Sequence, residues 1–235
     1  FLTYLTGKKT FNEKIGVLAA FLLAISPTFF FFSGIMLTEI VSTFFSIFAI
    51  YLLLKNKHFL SGVFFGAAFM TRFLQLFAFI AVILALIYDK KNFKKILLGF
   101  AFAVLPYFIL NQVLYNNALF PFFQQIFLSA NSGWLNYQPI TYYFIELLKD
   151  NFLYLLFIAG IVLAFKKPGS RLILSPFIVL FLFFNIIRQK EMRFLIILLP
   201  YMYLLVSCAL FYFISLKKIF KSTAIFLIIF LFLIS

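Results

Sequence analysis

Apolar residues occupy most of the chain in long runs, and short polar segments separate these runs. The runs are continuous over about 15 to 22 residues and lack the period-two alternation of strands that face lipid on one side. They are typical of membrane-spanning helices, because a helix pairs its backbone groups internally. The pattern predicts eight spans, at 15–33, 36–54, 59–71, 73–88, 96–115, 150–165, 172–187 and 194–215, and a truncated ninth at the C-terminal end.

Composition gives the same class of protein. The chain is 66% hydrophobic and 11% charged, with a mean hydropathy of +1.14, which leaves too little polar surface for a soluble fold. We therefore predict an all-α membrane protein, a polytopic transmembrane helical bundle that forms a single domain over residues 1–235. Cys208 is the only cysteine, so an internal disulfide is excluded and no cysteine metal site is indicated.

The two ends of the sequence suggest a fragment of a larger module. The first residue is Phe1 rather than Met, and the last apolar run stops at Ser235 after about 14 residues, whereas a span needs roughly 20. The segment 1–14 has too many polar residues for a signal peptide. Membrane targeting is then expected from the spans or from an upstream segment.

Basic residues give the orientation, because Lys and Arg near span ends are retained in the cytoplasm. Fifteen of the twenty fall into five clusters that the eight spans would all place inside: Lys8, Lys9 and Lys14; Lys55 and Lys57; Lys90, Lys91, Lys94 and Lys95; Lys166, Lys167 and Arg171; Lys217, Lys218 and Lys221. The net charge of +14 is thus mainly a topology signal, and nucleic acid is not an expected partner.

The segment 59–88 is too short for two full spans, which need roughly 40 residues. A single long span is the alternative, but it would place one lysine cluster outside, against the charge rule. We favour a short hairpin whose turn carries Arg72, below the outer surface. An unpaired guanidinium there costs at least a few kcal/mol, so Arg72 is expected to have an anionic partner or to snorkel towards water.

The remaining charges with no topological role fall on the predicted outer face. They are Glu39 in IMLTEI, Arg72, and the turn RQKEMRF, which holds Lys190, Glu191 and Arg193. Basic side chains at the bilayer surface suit a lipid phosphate, because a guanidinium can pair two phosphate oxygens. The plain alternatives are a carboxylate that favours a helix N-terminus and a solvated turn with an internal ion pair.

The order of three segments resembles the GT-C superfamily of membrane glycosyltransferases, which transfer sugar from a polyprenyl-phosphate carrier at the outer or lumenal membrane face. The block IGVLAAFLLAISPTFFFFSGIMLTEI, with Ser26, Pro27, Thr38 and Glu39, resembles the protein mannosyltransferase and aminoarabinose transferase branch. It is followed by GVFFGAAFMTRF. The turn and the helix after it are similar to the HKExRFL-P signature of mannosyltransferases, matched at Lys190, Glu191, Arg193, Phe194 and Pro200, with Gln189 in place of the histidine.

This resemblance implies a mechanism and a set of roles. Arg72, Lys190 and Arg193 would bind the donor phosphate, and Glu39 and Glu191 would support the site. The catalytic aspartate of the family lies in the first outer loop, which is expected upstream of Phe1, so the catalytic residue of this chain is unknown. The donor would be a polyprenyl-phosphate sugar, such as a mannose carrier. No cofactor is certain; a divalent metal is possible, although no metal ligand is predicted.

The outer stretch 116–149 mixes aromatic and amide residues, as sugar-stacking surfaces and interfacial belts both do. We list Trp134, Tyr137, Tyr142 and Tyr143 as weak candidates for acceptor or sugar contact. The segment FPFFQQIFLSA could form an amphipathic helix on the membrane, with Gln124 and Gln125 towards water.

These observations predict a multi-pass enzyme of the cell membrane, with its site on the non-cytoplasmic side. A prokaryotic plasma membrane is favoured over the endoplasmic reticulum. Expected partners are membrane lipid, a lipid-linked sugar donor, and a glycan, lipid or protein acceptor. The alternative is a membrane transporter or lipid flippase. Carriers bind through broken helices and charges at the midplane, whereas these spans are nearly free of charge.

Overall fold

The computed structural model describes residues 1–35, 37–87, 89–131 and 137–215. Twelve α-helices account for most of these residues, and short 3-10 turns occur at Phe152–Leu155, Pro168–Ser170 and Met192–Phe194. The helices are α1 Leu2–Thr10, α2 Glu13–Ala24, α3 Pro27–Ser33, α4 Thr38–Leu54, α5 His58–Thr71, α6 Gln75–Ala85, α7 Lys90–Tyr115, α8 Phe120–Asn131, α9 Tyr142–Asp150, α10 Leu156–Ala164, α11 Arg171–Ile186 and α12 Leu195–Ser215.

The all-helical class is confirmed, and each predicted span coincides with a helix or a pair of consecutive helices. Within the described ranges, two segments are long and apolar enough to cross a membrane, Asn92–Tyr115 and Met192–Ser215. The α2–α3 pair makes a third if it is one span bent by 61°. The other apolar helices are shorter, so the number of eight spans stays a prediction, and the truncated ninth lies outside the described residues.

Helix α1 was not predicted, because its sequence is polar and ends in two lysines. Its inward face consists of the small residues Thr3, Thr6 and Gly7, which are buried. A Cβ added at Gly7 would lie 2.7 Å from the Cα of Gly16, so α1 and α2 pack backbone against backbone. Small side chains at a helix contact of this kind were the available signal.

The bend between α2 and α3 follows from the Ser-Pro pair. Ser26 caps α3 by accepting a hydrogen bond from the backbone N–H of Phe29 at 3.3 Å, and Pro27 occupies the first turn of α3, where its missing N–H is harmless. The Ser26 hydroxyl also lies 3.3 Å from the hydroxyl of Tyr154, which accepts from Tyr203 at 2.8 Å. These bonds fix the bend against the turn before α10 and against α12.

The short hairpin of α5 and α6 is present, and it returns the chain to the end of the bundle from which it started. A Cβ at Gly62 would lie 2.0 Å from the carbonyl oxygen of Ile96, and one at Gly66 would lie 2.6 Å from the Cβ of Ala103. Residue numbers rise together along this contact, so α5 and α7 run parallel. Helix α6, which joins them in the chain, therefore runs in the opposite direction, and Arg72 lies at the turn between α5 and α6.

Helix α12 is the centre of the bundle. Its residues from Leu195 to Leu210 are buried, and a Cβ at Gly160 of α10 would lie 2.2 Å from the carbonyl oxygen of Leu205. The hydroxyls of Ser46 in α4 and Tyr201 in α12 are 2.7 Å apart. An all-apolar helix buried on every side is expected for the core of a helical membrane protein.

The four lysine clusters that fall within the described residues lie away from the end of the bundle that holds Glu39, and the fifth, at Lys217, Lys218 and Lys221, lies outside the described residues. The Lys167 ammonium lies 5.5 Å from the ring of Phe11, which brings the first and fourth lysine clusters together. His58 lies within electrostatic range of Asp89 and Lys95, which does the same for the second and third. Glu39 lies in the first turn of α4, and Lys55 follows the last residue at the other end of that helix.

Candidate functional site

Glu39 is held in the first turn of α4, and its side chain is 1% exposed. The carboxylate therefore faces protein rather than water. Its Oε2 accepts a hydrogen bond from the Thr38 hydroxyl at 3.2 Å. A carboxylate buried to this degree requires cationic partners.

Arg72 supplies the first of these partners. It follows the last residue of α5 in an extended conformation, where the short helix ends before a full span is complete. Its terminal nitrogen lies 3.0 Å from Glu39 Oε1. Burial lowers the pKa of Arg72, and the charge of Glu39 opposes this shift. The predicted anionic partner of Arg72 is thus Glu39.

Arg193 supplies the second partner, from the turn before α12. Its Nε lies 3.5 Å from Glu39 Oε1 and 2.5 Å from Glu191 Oε2, and a terminal nitrogen donates to Glu191 Oε1 at 2.9 Å. The ring of Phe194 lies 5.5 Å from the guanidinium carbon of Arg72 and 5.9 Å from that of Arg193. Both distances are within cation–π range.

The turn itself is fixed by the outer stretch of the chain. The hydroxyl of Tyr143 donates to the carbonyl of Glu191 and accepts from its N–H, both at 3.2 Å. The backbone N–H of Gln138 donates to the carbonyl of Arg188 at 3.1 Å, and Tyr137 pairs with Gln189 in an isolated bridge. Burial raises the pKa of Tyr143, so its hydroxyl stays protonated as a donor.

Lys190 differs from the prediction. Its side chain is buried and does not line the cleft, and its ammonium donates to the carbonyls of Gln138, at 3.2 Å, and of Ile187. Its position in the sequence, between two residues that do line the cleft, could not show this.

A cleft of about 760 Å³ opens beside the charged group that Glu39, Arg72, Glu191 and Arg193 form. Arg72, Gln189, Glu191 and Arg193 line it, together with apolar residues of α5, α8 and α11. Phe122 of α8 stacks on Phe69 and Phe73, with centroid distances of 5.5 and 4.3 Å, and so places α8 over one wall. The cleft combines a polar floor with apolar and aromatic walls.

The acceptor candidates are distributed unevenly. Tyr137 lines the cleft and is exposed. Tyr142 lies beside Tyr143 at a centroid distance of 5.2 Å and does not line the cleft; burial raises its pKa. Trp134 lies outside the described residues. The segment predicted as an amphipathic helix forms α8, and Gln125 faces the cleft from it.

Two features of the site were missed. Sequence reasoning gave Tyr143 only a weak role in acceptor contact, whereas it anchors both backbone groups of Glu191. Phe194 was noted only as part of a motif, although its ring lies against both guanidiniums. An aromatic residue directly after a cleft-lining arginine was the available signal.

The described residues contain no cluster of three or more His, Cys, Asp and Glu side chains suited to a metal ion. Of these side chains, Glu191 lines the cleft and Glu39 is buried beside it, and both contact the guanidinium of Arg193. The possibility of a divalent metal therefore stays a prediction.

Comparison with known families bears on the first half of the chain. Residues 1–115 match the family model described as dolichyl-phosphate-mannose-protein mannosyltransferase. The GT-C resemblance is confirmed over these residues. The match includes Glu39 and Arg72, whereas the turn with Glu191 and Arg193 lies beyond it. No curated protein and no solved structure matches the chain at a significant level.

Proposed function

We propose that this chain belongs to a membrane glycosyltransferase that takes its sugar from a polyprenyl-phosphate donor, whose phosphate binds beside Arg72 and Arg193. The observation that carries the proposal is the convergence of these guanidiniums at one open cleft, although the residues are more than a hundred positions apart in sequence. The family match of residues 1–115 supports the reaction class.

The proposed roles follow from the charge that develops during transfer. The bond between the sugar anomeric carbon and the phosphate oxygen breaks, its electron pair stays on the phosphate, and the acceptor oxygen bonds to the anomeric carbon. The leaving polyprenyl phosphate gains one negative charge, and two guanidiniums placed beside it stabilise that charge. The acceptor proton passes to a carboxylate base.

The substrates and the side of the membrane belong to the same proposal. The apolar walls of the cleft suit a lipid-linked donor, and Tyr137 at its rim suits sugar contact. Mannose is the sugar suggested by the family description; a glycan, a lipid or a protein would be the acceptor. The cleft would face the non-cytoplasmic side of a cell membrane. A transporter or flippase is less favoured. Carriers bind at breaks in the middle of helices, whereas the charged group lies at helix ends.

The main test is sugar transfer by the full-length protein in proteoliposomes, with a radiolabelled polyprenyl-phosphate mannose as donor. Loss of a charge-assisted contact of about 1.5–3 kcal/mol should reduce transfer roughly ten- to a hundredfold in Arg72→Ala and in Arg193→Ala. Arg188→Ala is the matched control, because this arginine is exposed on the same turn and does not line the cleft. Wild-type turnover in both cleft variants would refute the phosphate role.

Orientation is tested by cysteine labelling in a Cys208→Ser background with a membrane-impermeant maleimide. Arg188→Cys should react from outside intact cells, and Lys57→Cys should react only after permeabilisation, because the two exposed residues lie at opposite ends of the bundle. The reverse pattern would place the cleft in the cytoplasm.

A further inference from the structure

The guanidiniums at the cleft are already neutralised by the protein. Glu39 Oε1 lies 3.0 Å from a terminal nitrogen of Arg72 and 3.5 Å from Arg193 Nε. Glu191 contacts Arg193 through two atom pairs, at 2.5 and 2.9 Å. Two positive and two negative groups therefore balance. A phosphate that pairs with Arg193 in a bidentate manner needs the same edge of the guanidinium, Nε and a terminal nitrogen, that Glu191 contacts.

The two carboxylates differ in how easily they can leave. Glu39 is 1% exposed, sits between two guanidiniums and accepts from Thr38, so moving it would strand two partly buried charges. Glu191 is 26% exposed and lines the cleft. Its carboxylate can rotate into water at little cost in hydration, whereas that of Glu39 cannot.

The backbone around Glu191 does not have to move for this exchange. Tyr143 holds both the N–H and the carbonyl of Glu191, and Lys190 holds the turn to the carbonyls of Gln138 and Ile187. Only the side chain of Glu191 has to change rotamer. Neither Arg72 Nε nor Arg193 Nε has a hydrogen-bond partner among the described residues, so each guanidinium keeps one buried N–H that the carboxylates do not satisfy.

We propose that Glu191 is the exchangeable counter-ion of Arg193: it competes with the donor's phosphate for that guanidinium and so sets the affinity of the cleft for an anionic lipid headgroup. This inference rests on the proposed function, and it assigns unequal roles to the two acids that the sequence groups together. Glu39 is the fixed anion that holds Arg72 and Arg193 in place. Glu191 occupies the headgroup's position until the headgroup arrives.

The test is direct binding of farnesyl monophosphate to the purified protein in nanodiscs, with uncharged farnesol as the reference ligand. Glu191→Gln removes the competitor at nearly constant size. It should tighten farnesyl monophosphate binding by up to roughly fivefold, the range of a partly exposed ion pair, and leave farnesol binding unchanged. A merely structural role for Glu191 would weaken binding instead.

Glu146→Gln is the matched control. Glu146 has a similar exposure of 24%, and its partner Lys149 lies 2.7 Å away, outside the cleft. The variant makes the same change in net charge and should leave both affinities unchanged. Equal tightening in Glu146→Gln and Glu191→Gln would show a general effect of charge and would overturn the inference.

The remaining outcomes separate this inference from the proposed function. If Arg193→Ala loses phosphate binding while Glu191→Gln binds as wild type or more weakly, the competition is refuted and the donor site stands. If wild type binds farnesyl monophosphate no better than farnesol and no variant changes this, both the exchange and the donor phosphate site are refuted.

Discussion

The strongest test of the charged group is the replacement Glu39→Gln, because this carboxylate is buried between two guanidiniums. The change keeps the shape of the side chain and removes its charge. At the 3.0 Å separation from Arg72 and an effective dielectric constant of 20, the direct attraction is about 5 kcal/mol. Breaking one side of a buried pair costs about 3–5 kcal/mol, because the other charge stays behind.

Two features of the structure reduce that figure. Arg72 is 24% exposed, so water partly solvates it, and Arg193 keeps its contacts with Glu191. We therefore expect Glu39→Gln to lower the free energy of unfolding by about 2–4 kcal/mol. The measurement is unfolding of the purified protein in mixed micelles by titration with denaturing detergent.

A double-mutant cycle separates the pair from other effects of the substitution. Arg72→Met removes the partner, and the double variant should be more stable than the sum of the single effects predicts, by about 1–3 kcal/mol. The cycle Glu146→Gln with Lys149→Met is the control, since that exposed pair should couple by less than about 0.5 kcal/mol. Additivity of Glu39→Gln and Arg72→Met within about 0.5 kcal/mol would refute the structural role of the ion pair.

Three further predictions concern the elements around the site. Gly62→Ala should lower the unfolding midpoint strongly, because its Cβ would lie 2.0 Å from a carbonyl oxygen of α7. The control Gly34→Ala meets nothing closer than 3.6 Å and should be nearly neutral, so equal midpoints would contradict the close α5–α7 contact. Tyr143→Phe should speed hydrogen–deuterium exchange of peptide 188–194, measured by mass spectrometry, because the N–H of Glu191 loses its acceptor; unchanged exchange would remove this anchor. Lys190→Met should lower the free energy of unfolding by about 1–3 kcal/mol in the same detergent titration, because two backbone carbonyls lose a buried donor. Arg188→Met should have little effect, and equal stabilities of the two variants would contradict a stabilising role for these hydrogen bonds.

The helices were predictable because each apolar run ends at a strong local signal. The lysines after Leu54 predict the end of α4, whereas the single span predicted at 15–33 did not include the break that the Ser26-Pro27 pair makes between α2 and α3. Helix α1 could not be found in this way, since its burial depends on contact between Gly7 and Gly16 rather than on hydropathy. Hydropathy records the preference for lipid, and it does not record how closely two backbones approach.

The predicted topology gave the residues that share one face of the bundle, but not the contacts of their side chains. Charge clustering placed Glu39, Arg72 and Arg193 on one face, and the structure brings them within hydrogen-bonding or ion-pair distance. The direction of each side chain on the turn was not available from spacing. Lys190 and Glu191 are adjacent in sequence, yet one is directed to backbone carbonyls and the other to the cleft. Only the outer stretch, which supplies Gln138 and Tyr143, decides between them.

The balance of charges at the cleft links folding to binding. Two guanidiniums this close would repel each other and would cost several kcal/mol to bury without anions between them, so the fold needs carboxylates wherever the ligand is absent. A carboxylate that satisfies the fold completely would also exclude the ligand. Dividing the task resolves the conflict, because Glu39 stays buried whereas Glu191 lies at the edge of water. The same division gives the two substitutions different consequences: Glu39→Gln should mainly reduce stability, and Glu191→Gln should mainly raise phosphate affinity.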